Sequence, residues 1–494
     1  LHGNTLRKEK APDGSIDKNV FDIQQGVAIA LFIKKKDKDA DYTPMYRPSP
    51  QIGLEFEEET AKESAEEKKE CTVHHAELWG LREKKYAWLE KNSIDTTKWK
   101  TLKPKSESYL FIPRYEKHLK NYEQFMKITD LFPVNSVGIV TSRDGFVIEA
   151  DKAALKRRIR MFIDPKMPDE IIGQTFNLHD KSNWQLKDAR ETVRKDEHRE
   201  DAIKKILYRP FDIQWIFYHD AVIERSRREV MRHMEQENLG FITNRQVNGE
   251  FKHVLCTDTI INDCTVSLET RERSYLFPLY LYPEKEKPKK RSSTTAMMLF
   301  EPETEYKTKK PNLSAVLVER LTSSFKKTPS PEYIFFYTYA VLYSNTYRTK
   351  YAEFLKSDFP RIPFTSNPKL FTKMAGYGER LVDLHLLKSS DLDLKVVSME
   401  GKGNGKVEKV WYEKNKVYIS DQQHIEGVSP AVWEYQVGGY QVCDKWLKDR
   451  KGKILSLEDV KHYSLVVTAL KKTMDIQGKI DGIYPDIERE LIEF

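Results

Sequence analysis

Arginine is the side chain whose density first suggests chemistry. Arg209, Arg225, Arg227, Arg228, Arg232 and Arg245 all fall between Tyr208 and Gln246. A guanidinium stays charged and offers paired N–H donors that match a phosphate or the edge of a base. Ser226-Arg227-Arg228-Glu229 reads as a capping box, with Ser226 at the N-cap and Glu229 at the N3 position. That would seat Arg227 and Arg228 in a first helical turn, where the macrodipole disfavours cations. An anion bound at the helix N-terminus would resolve the conflict. Arg225 and Arg232 flank the same turn and suit the same phosphate-binding role. Further on, the apolar run Leu239–Thr243 ends in Asn244, Arg245 and Gln246, side chains able to pair with base edges. A solvated basic helix beside an ordinary edge strand has the same composition, so the residues alone leave both readings open.

These groups need elements to aim them. Tyr208 and Arg209 precede Pro210 and therefore sit in extended backbone. Tyr208 reads as packed, while Arg209 is open to either packing or polyanion contact. Val137-Gly138-Ile139-Val140-Thr141-Ser142-Arg143-Asp144 shares with Leu239–Gln246 the order apolar-Gly-apolar-apolar-Thr-polar-Arg-polar. Arg143 is thus a further base-reading candidate, although eight positions are too few to separate duplication from coincidence. Lys152–Met161 has Leu155 and Ile159 at i,i+4, the pattern of an amphipathic helix. Its Arg157 and Arg158 make a second phosphate anchor, or simply a solvated face.

Bulk properties bound these readings. A chain of 494 residues has room for two to four domains, and 39% hydrophobic with 11% aromatic residues can fill their cores. The net charge of +7 comes from 83 basic against 76 acidic residues, so a polyanion footprint has to be a local patch. No apolar run is long enough for a membrane-spanning helix, and the N-terminus has no secretory pattern. The four cysteines, Cys71, Cys256, Cys264 and Cys443, fit reduced thiols in a cytoplasmic protein. His253, Cys256 and Cys264 lack the paired knuckle of a zinc site and read as core filler.

In chain order, Asn19–Ile23 and Gly26–Ile33 read as strands, the second apolar enough to be buried on both faces. Two such strands make no sheet alone, so their partners are expected upstream. Residues 34–70 are charged and irregular, Glu77–Leu89 has helical spacing, and Tyr122–Leu131 reads as a short helix. Asn135–Ile148 reads as strand, turn and strand, and Arg273–Pro283 as a strand. Ser330-Pro331-Glu332 starts a helical region whose stripe of Phe335, Tyr339 and Leu342 belongs in a core. Pro368–Leu387 is a further helix, 393–440 is strand-rich, and Asp444–Asp449 and Leu457–Asp481 are helical. Pro485-Asp486 reads as a helix or turn start.

Several phrases in this order resemble type ISP restriction-modification enzymes, type IIG-like relatives and adenine-N6 DNA methyltransferases. They include Asn19-Val20-Phe21-Asp22-Ile23, Gln25-Gly26-Val27-Ala28-Ile29, Tyr208-Arg209-Pro210-Phe211-Asp212, Arg227-Arg228-Glu229-Val230-Met231, Pro278–Tyr282, Asp358–Pro363 and Gly438-Gly439-Tyr440. The resemblance spans nearly the whole chain and matches the C-terminal half of those enzymes. It implies a mixed α+β fold: remnant strands of a methyltransferase sheet, then a multi-lobed α/β target recognition domain. The expected division is a Rossmann-like remnant over 1–70, a spacer over 71–130, a first recognition lobe over 131–283, a flexible insertion over 284–312 and a second lobe over 313–494. The implied partners are double-stranded DNA and the upstream methyltransferase, with a nuclease or motor where the parent has one.

The parent would use S-adenosylmethionine. Its glycine-rich loop and Asn-Pro-Pro-aromatic motif are missing here; the nearest strings are Ile163-Asp164-Pro165-Lys166 and Ser366-Asn367-Pro368-Lys369. The fragment is therefore expected to hold no cofactor and to be inactive alone. Sequence-specific duplex recognition is the leading reading. The alternative is an interaction module whose arginines pair internally with Glu224, Glu229, Glu235 and Glu237.

Overall fold

Residues 26–33, the apolar run expected as a buried strand, form no strand in the computed structural model. The structure describes residues 2–4, 10–33, 72–104, 111, 113, 117–269, 272–283 and 309–494. Cys71, the charged region 34–70 and most of the insertion expected at 284–312 lie outside these residues. Two compact units are present, residues 1–114 and 115–494.

In the first unit β1 (Val73–His75) pairs antiparallel with β2 (Lys100–Leu102), on either side of α1 (Arg82–Lys91). Residues 19–25 curl instead of extending, because the Asn19 side chain accepts the Phe21 N–H at 2.9 Å and so competes with any ladder. Ile29, Leu31, Phe32 and Ile33 stay exposed, and no strand among the described residues pairs with them. A buried pair, Lys85 with Asp17 at 2.8 Å, ties the segment down. The Lys85 ammonium also donates to the carbonyls of His2 and Lys18. A buried ammonium has to fill its donors in this way.

The second unit carries the mixed α/β architecture. Its elements include β3 (Ser136–Val137), β4 (Ile148–Glu149), α2 (Lys152–Ile163), β5 (Ile203–Arg209) and β6 (Asp212–Phe217). Next come β7 (Gly240–Asn244), β8 (Val254–Thr257), β9 (Ile260–Ile261) and β10 (Ser274–Pro278). One four-stranded sheet has the order β9-β5-β6-β4 and another β3-β10-β7-β8. Three long helices follow: α3 (Pro331–Tyr343), α4 (Pro368–His385) and α5 (Leu457–Ile487). A third four-stranded sheet within 398–426 lies in the strand-rich region.

Caps explain the helix starts. Ser330 accepts the Tyr333 N–H, Asn367 accepts those of Lys369 and Leu370, and Ser456 with Asp459 forms a capping box. From Ile334 to Tyr343 helix α3 buries every residue but Phe336, so its aromatic stripe is core, as its composition suggests. A Cβ on Gly378 would lie 1.8 Å from the Phe336 carbonyl, so only glycine lets α4 approach α3 this closely. Phe241 of β7 packs edge-on against Phe335 and Tyr339 of α3, so residues of both expected lobes share one core.

Three local expectations change. The helix expected over Tyr122–Leu131 is two short helices, Leu119–Glu123 and Ile128–Leu131. Between them Met126–Lys127 pairs with Arg361–Ile362, and that ladder breaks the helical path. Pro485 lies inside α5 rather than starting an element, near its C-terminal end. The two Gly-x-x-Thr-x-Arg segments do flank one strand: Tyr275 of β10 faces Val137 on one side and Thr243 on the other. Val137 aligns in sequence with Leu239, however, not with Thr243, so the segments are not a register-matched repeat.

Candidate nucleic-acid interface

Strands β5 and β6 form a hairpin that turns at Pro210-Phe211, with Phe211 in the left-handed region at φ 59°. Just before this turn Arg209 is 5% exposed. Its guanidinium lies 3.8 Å from the Tyr208 ring centroid and donates to the Tyr208 carbonyl at 2.6 Å and to Asn262 Oδ1 at 3.2 Å. Tyr208 itself donates to Asp144 at 2.9 Å. Arg209 is thus a packing residue, enclosed by rings and an amide, and does not reach the surface as a contact.

The arginine-dense turn differs from its expected form. Ser226 caps nothing; its carbonyl accepts the Tyr218 hydroxyl at 2.5 Å. The N-cap is Arg227, left-handed at φ 55°, and the helix runs only over Arg228–Met231. With Arg227 in that conformation the Ser226 side chain is carried one residue too early to cap, and the capping box is lost. Arg228 donates through Nε to both Asp220 oxygens, at 2.9 and 2.8 Å, and through Nη2 to the Tyr218 carbonyl at 3.0 Å. Arg232 donates to the Tyr282 carbonyl at 2.9 Å. Arg225 is exposed, and its backbone forms a bridge with Val140. Glu224 pairs with Arg143 at 3.6 Å and Glu235 with Lys204 at 3.0 Å. Internal pairing is therefore real here, though not with the partners that sequence proximity suggests.

At the end of β7 the three candidates separate. Asn244 is fully buried, with neither amide atom hydrogen-bonded among the described residues. Arg245 and Gln246 are exposed. Arg245 Nε donates to Asp358 Oδ1 at 3.1 Å, and the Gln246 amide donates to the Ser357 carbonyl at 3.3 Å. Burial alone would raise the Asp358 carboxyl, but hydrogen bonds from Lys127, the Phe359 backbone and Arg245 outweigh it and hold it below the usual range. Arg143, the counterpart expected from the shared pattern, is buried instead. It stacks 3.9 Å from the Trp184 ring centroid and donates to the Val222 carbonyl at 3.2 Å.

Helix α2 begins at an Asp151 cap and buries Leu155, Ile159 and Phe162. Arg158 turns back to the Phe146 and Ile148 carbonyls and to Glu149 at 2.5 Å. Arg157 points outward, with no ion pair or hydrogen bond among the described residues. Of the named candidates, Arg157, Arg225, Arg228, Arg245 and Gln246 are exposed, and the shared pattern does not bring its two arginines together.

Sequence reasoning missed the support behind the β7 tip. Glu272 is 3% exposed and accepts from the Asn248 N–H at 2.5 Å, His253 Nε2 at 2.9 Å and Ser267 Oγ at 2.6 Å. Burial would raise this carboxyl; the bonds from His253, Ser267 and Asn248 reverse that and bring it down to about 2. Glu272 thereby fixes both ends of the loop that follows Arg245 and Gln246. Its position in sequence, among exposed-looking charges, carries no such signal.

The family model described as Type ISP C-terminal specificity domain matches residues 130–477. No curated protein sequence matches the chain. Among solved structures, a DrdV–DNA complex superposes with a TM-score of 0.60 at 19% identity, covering 81% of this chain and 42% of that one. A nuclease-deletion mutant of the Type ISP restriction-modification enzyme LlaGI, bound to a DNA substrate mimic, gives 0.57 at 19% identity, covering 83% and 33%. The ATP-dependent Type ISP enzyme LlaBIII bound to DNA gives 0.57 at 18% identity, covering 77% and 25%. The chain spans less than half the length of each.

Proposed function

The chain belongs to the Type ISP C-terminal specificity domain family, and from that premise we propose that it recognises a sequence in duplex DNA for a longer restriction-modification enzyme. The family match over residues 130–477 carries this reading. The DNA-bound state of its structural neighbours supports it. Recognition needs phosphate contacts for register and base contacts for discrimination. Arg245 and Gln246 take the base-reading role, being exposed at a strand end with a buried brace behind them. Arg157 and Arg225 take the phosphate role. Arg143, Arg209 and Asn244 are left to the interior.

The longer protein would methylate adenine with S-adenosylmethionine in its upstream domain and act in the cytoplasm, while this chain supplies the choice of site. One observation favours the second reading, an interaction module, for part of the surface: Arg143, Arg158, Arg228 and Arg245 are already paired with Glu224, Glu149, Asp220 and Asp358 respectively.

Selection of bound duplexes from a randomised pool, followed by titration of the winner between about 50 and 200 mM salt, separates the two. An enriched motif with affinity falling steeply in salt is expected. Binding without an enriched motif, or no binding at low salt, would sink the recognition reading.

A further inference from the structure

The basic helix α2 does not stand alone. Glu149, Trp215 and Lys205 form a cross-strand row over β4, β6 and β5, Trp215 being opposite each of the other two. Cross-strand partners on one sheet face lie within side-chain reach. Lys152, at the start of α2, holds its ammonium 4.3 Å from the Trp215 ring centroid, and Lys205 holds its own at 5.8 Å. Both lysines are exposed, and neither has a carboxylate partner among the described residues. Lys453 reaches the same row, 3.7 Å from Glu149.

The carboxylates along this strip are already engaged. Glu149 takes Arg158 at 2.5 Å and the Ala150 N–H at 2.9 Å, Asp151 caps α2 through Ala154, and Glu200 holds Lys156 at 2.9 Å. Lys152 and Lys205 are thus surplus positive charge around one partly exposed indole. Two ammonium groups on one ring, with solvent beyond, suit a partner that is anionic and extended rather than a single small anion.

We infer that Lys152, Trp215 and Lys205, with Lys453 at the margin, form a track for the sugar-phosphate backbone of duplex DNA. This rests on the duplex-recognition reading and adds to it a phosphate-contacting surface outside the Tyr208–Gln246 stretch apart from Trp215. Cations held over an aromatic ring keep their charge and lose side-chain freedom, so they meet phosphates already placed.

The test compares the whole chain with its Lys152→Gln/Lys205→Gln double variant, using the selected duplex and a scrambled duplex of equal length. Both lysines are exposed, so unchanged thermal unfolding is expected and is checked first. The log–log slope of affinity against salt should become shallower by about two in the double variant. The ratio of affinities for the selected and scrambled duplexes should stay the same. An unchanged slope in a variant whose parent binds steeply would overturn the track and leave recognition standing. A changed ratio would overturn it too, because the lysines would then be reading bases. If the parent itself shows no salt-dependent duplex binding, the recognition reading fails and the track with it.

Discussion

Two regions of the second unit are both dense in cations but engage them differently. In the turn from Tyr218 to Arg232, two arginines are already engaged: Arg228 by Asp220 and the Tyr218 carbonyl, and Arg232 by the Tyr282 carbonyl. Along α2 and the neighbouring sheet face, Arg157, Lys152 and Lys205 keep no acidic partner among the described residues. The difference is local geometry rather than charge density. A four-residue helix after a left-handed Arg227 cannot present two arginines at its N-terminus, whereas a twelve-residue amphipathic helix has to project its polar side outward once Leu155, Ile159 and Phe162 are buried. What matters for a polyanion is the positive charge left over after internal pairing.

The largest effect is expected from removing the buried brace behind the exposed tip of β7. Glu272→Ala should cost about 3 kcal/mol of stability, because it strips the partner from a buried His253 and frees the Asn248 and Ser267 donors. Urea unfolding measures this, and a loss under about 1 kcal/mol would mean that the brace is dispensable. The same residue sets a pH dependence. Its carboxyl is lower in the folded chain, about 2 against the ordinary 4.5, so its contribution is complete above 4.5 and is lost as pH falls towards 2. The acid limb of stability against pH should therefore be shallower in Glu272→Gln than in the parent.

Arg209→Met comes next, at about 2 kcal/mol, since it removes a buried guanidinium with two acceptors. Unfolding that matches the parent within about 0.5 kcal/mol would return Arg209 to the list of free cations. Among the exposed groups, Arg245→Ala should lose on the order of 1–3 kcal/mol of duplex affinity, concentrated at one base pair. Titration against single-position variants of the selected duplex would show it, and an equal loss at every position would make Arg245 a phosphate contact instead.

Much of the scaffold was legible. The Ser-Pro-Glu start of α3, the apolar stripe it buries and the i,i+4 pair of α2 all follow from local rules that tertiary contacts reinforce. Two kinds of feature were not. Residues 26–33 read as a strand from composition, but a strand exists only with a neighbour, and composition does not say whether one is present. The site was less legible than the fold for the same reason. Whether Arg143 faces outward depends on Trp184, and whether Arg228 is free depends on Asp220; neither dependence leaves a spacing signature. The paired tips at Arg143 and Arg245 look alike in sequence, yet one guanidinium is stacked inside and the other is exposed.

Arg228→Ala has the smallest expected effect and bears most directly on the contrast between the regions. Its pair with Asp220 is exposed on both sides, 44% and 61%, and such pairs contribute about 0–1 kcal/mol. If the pair holds in solution, stability should barely change and the salt slope of duplex binding should stay that of the parent. Duplex DNA, however, competes with Asp220 for the same guanidinium, and a phosphate offers the same bidentate geometry. A slope shallower by about one in Arg228→Ala would mean that the arginine leaves Asp220 when DNA arrives. In that case Asp220→Asn should strengthen binding by freeing the arginine in advance, whereas a purely structural pair predicts no gain.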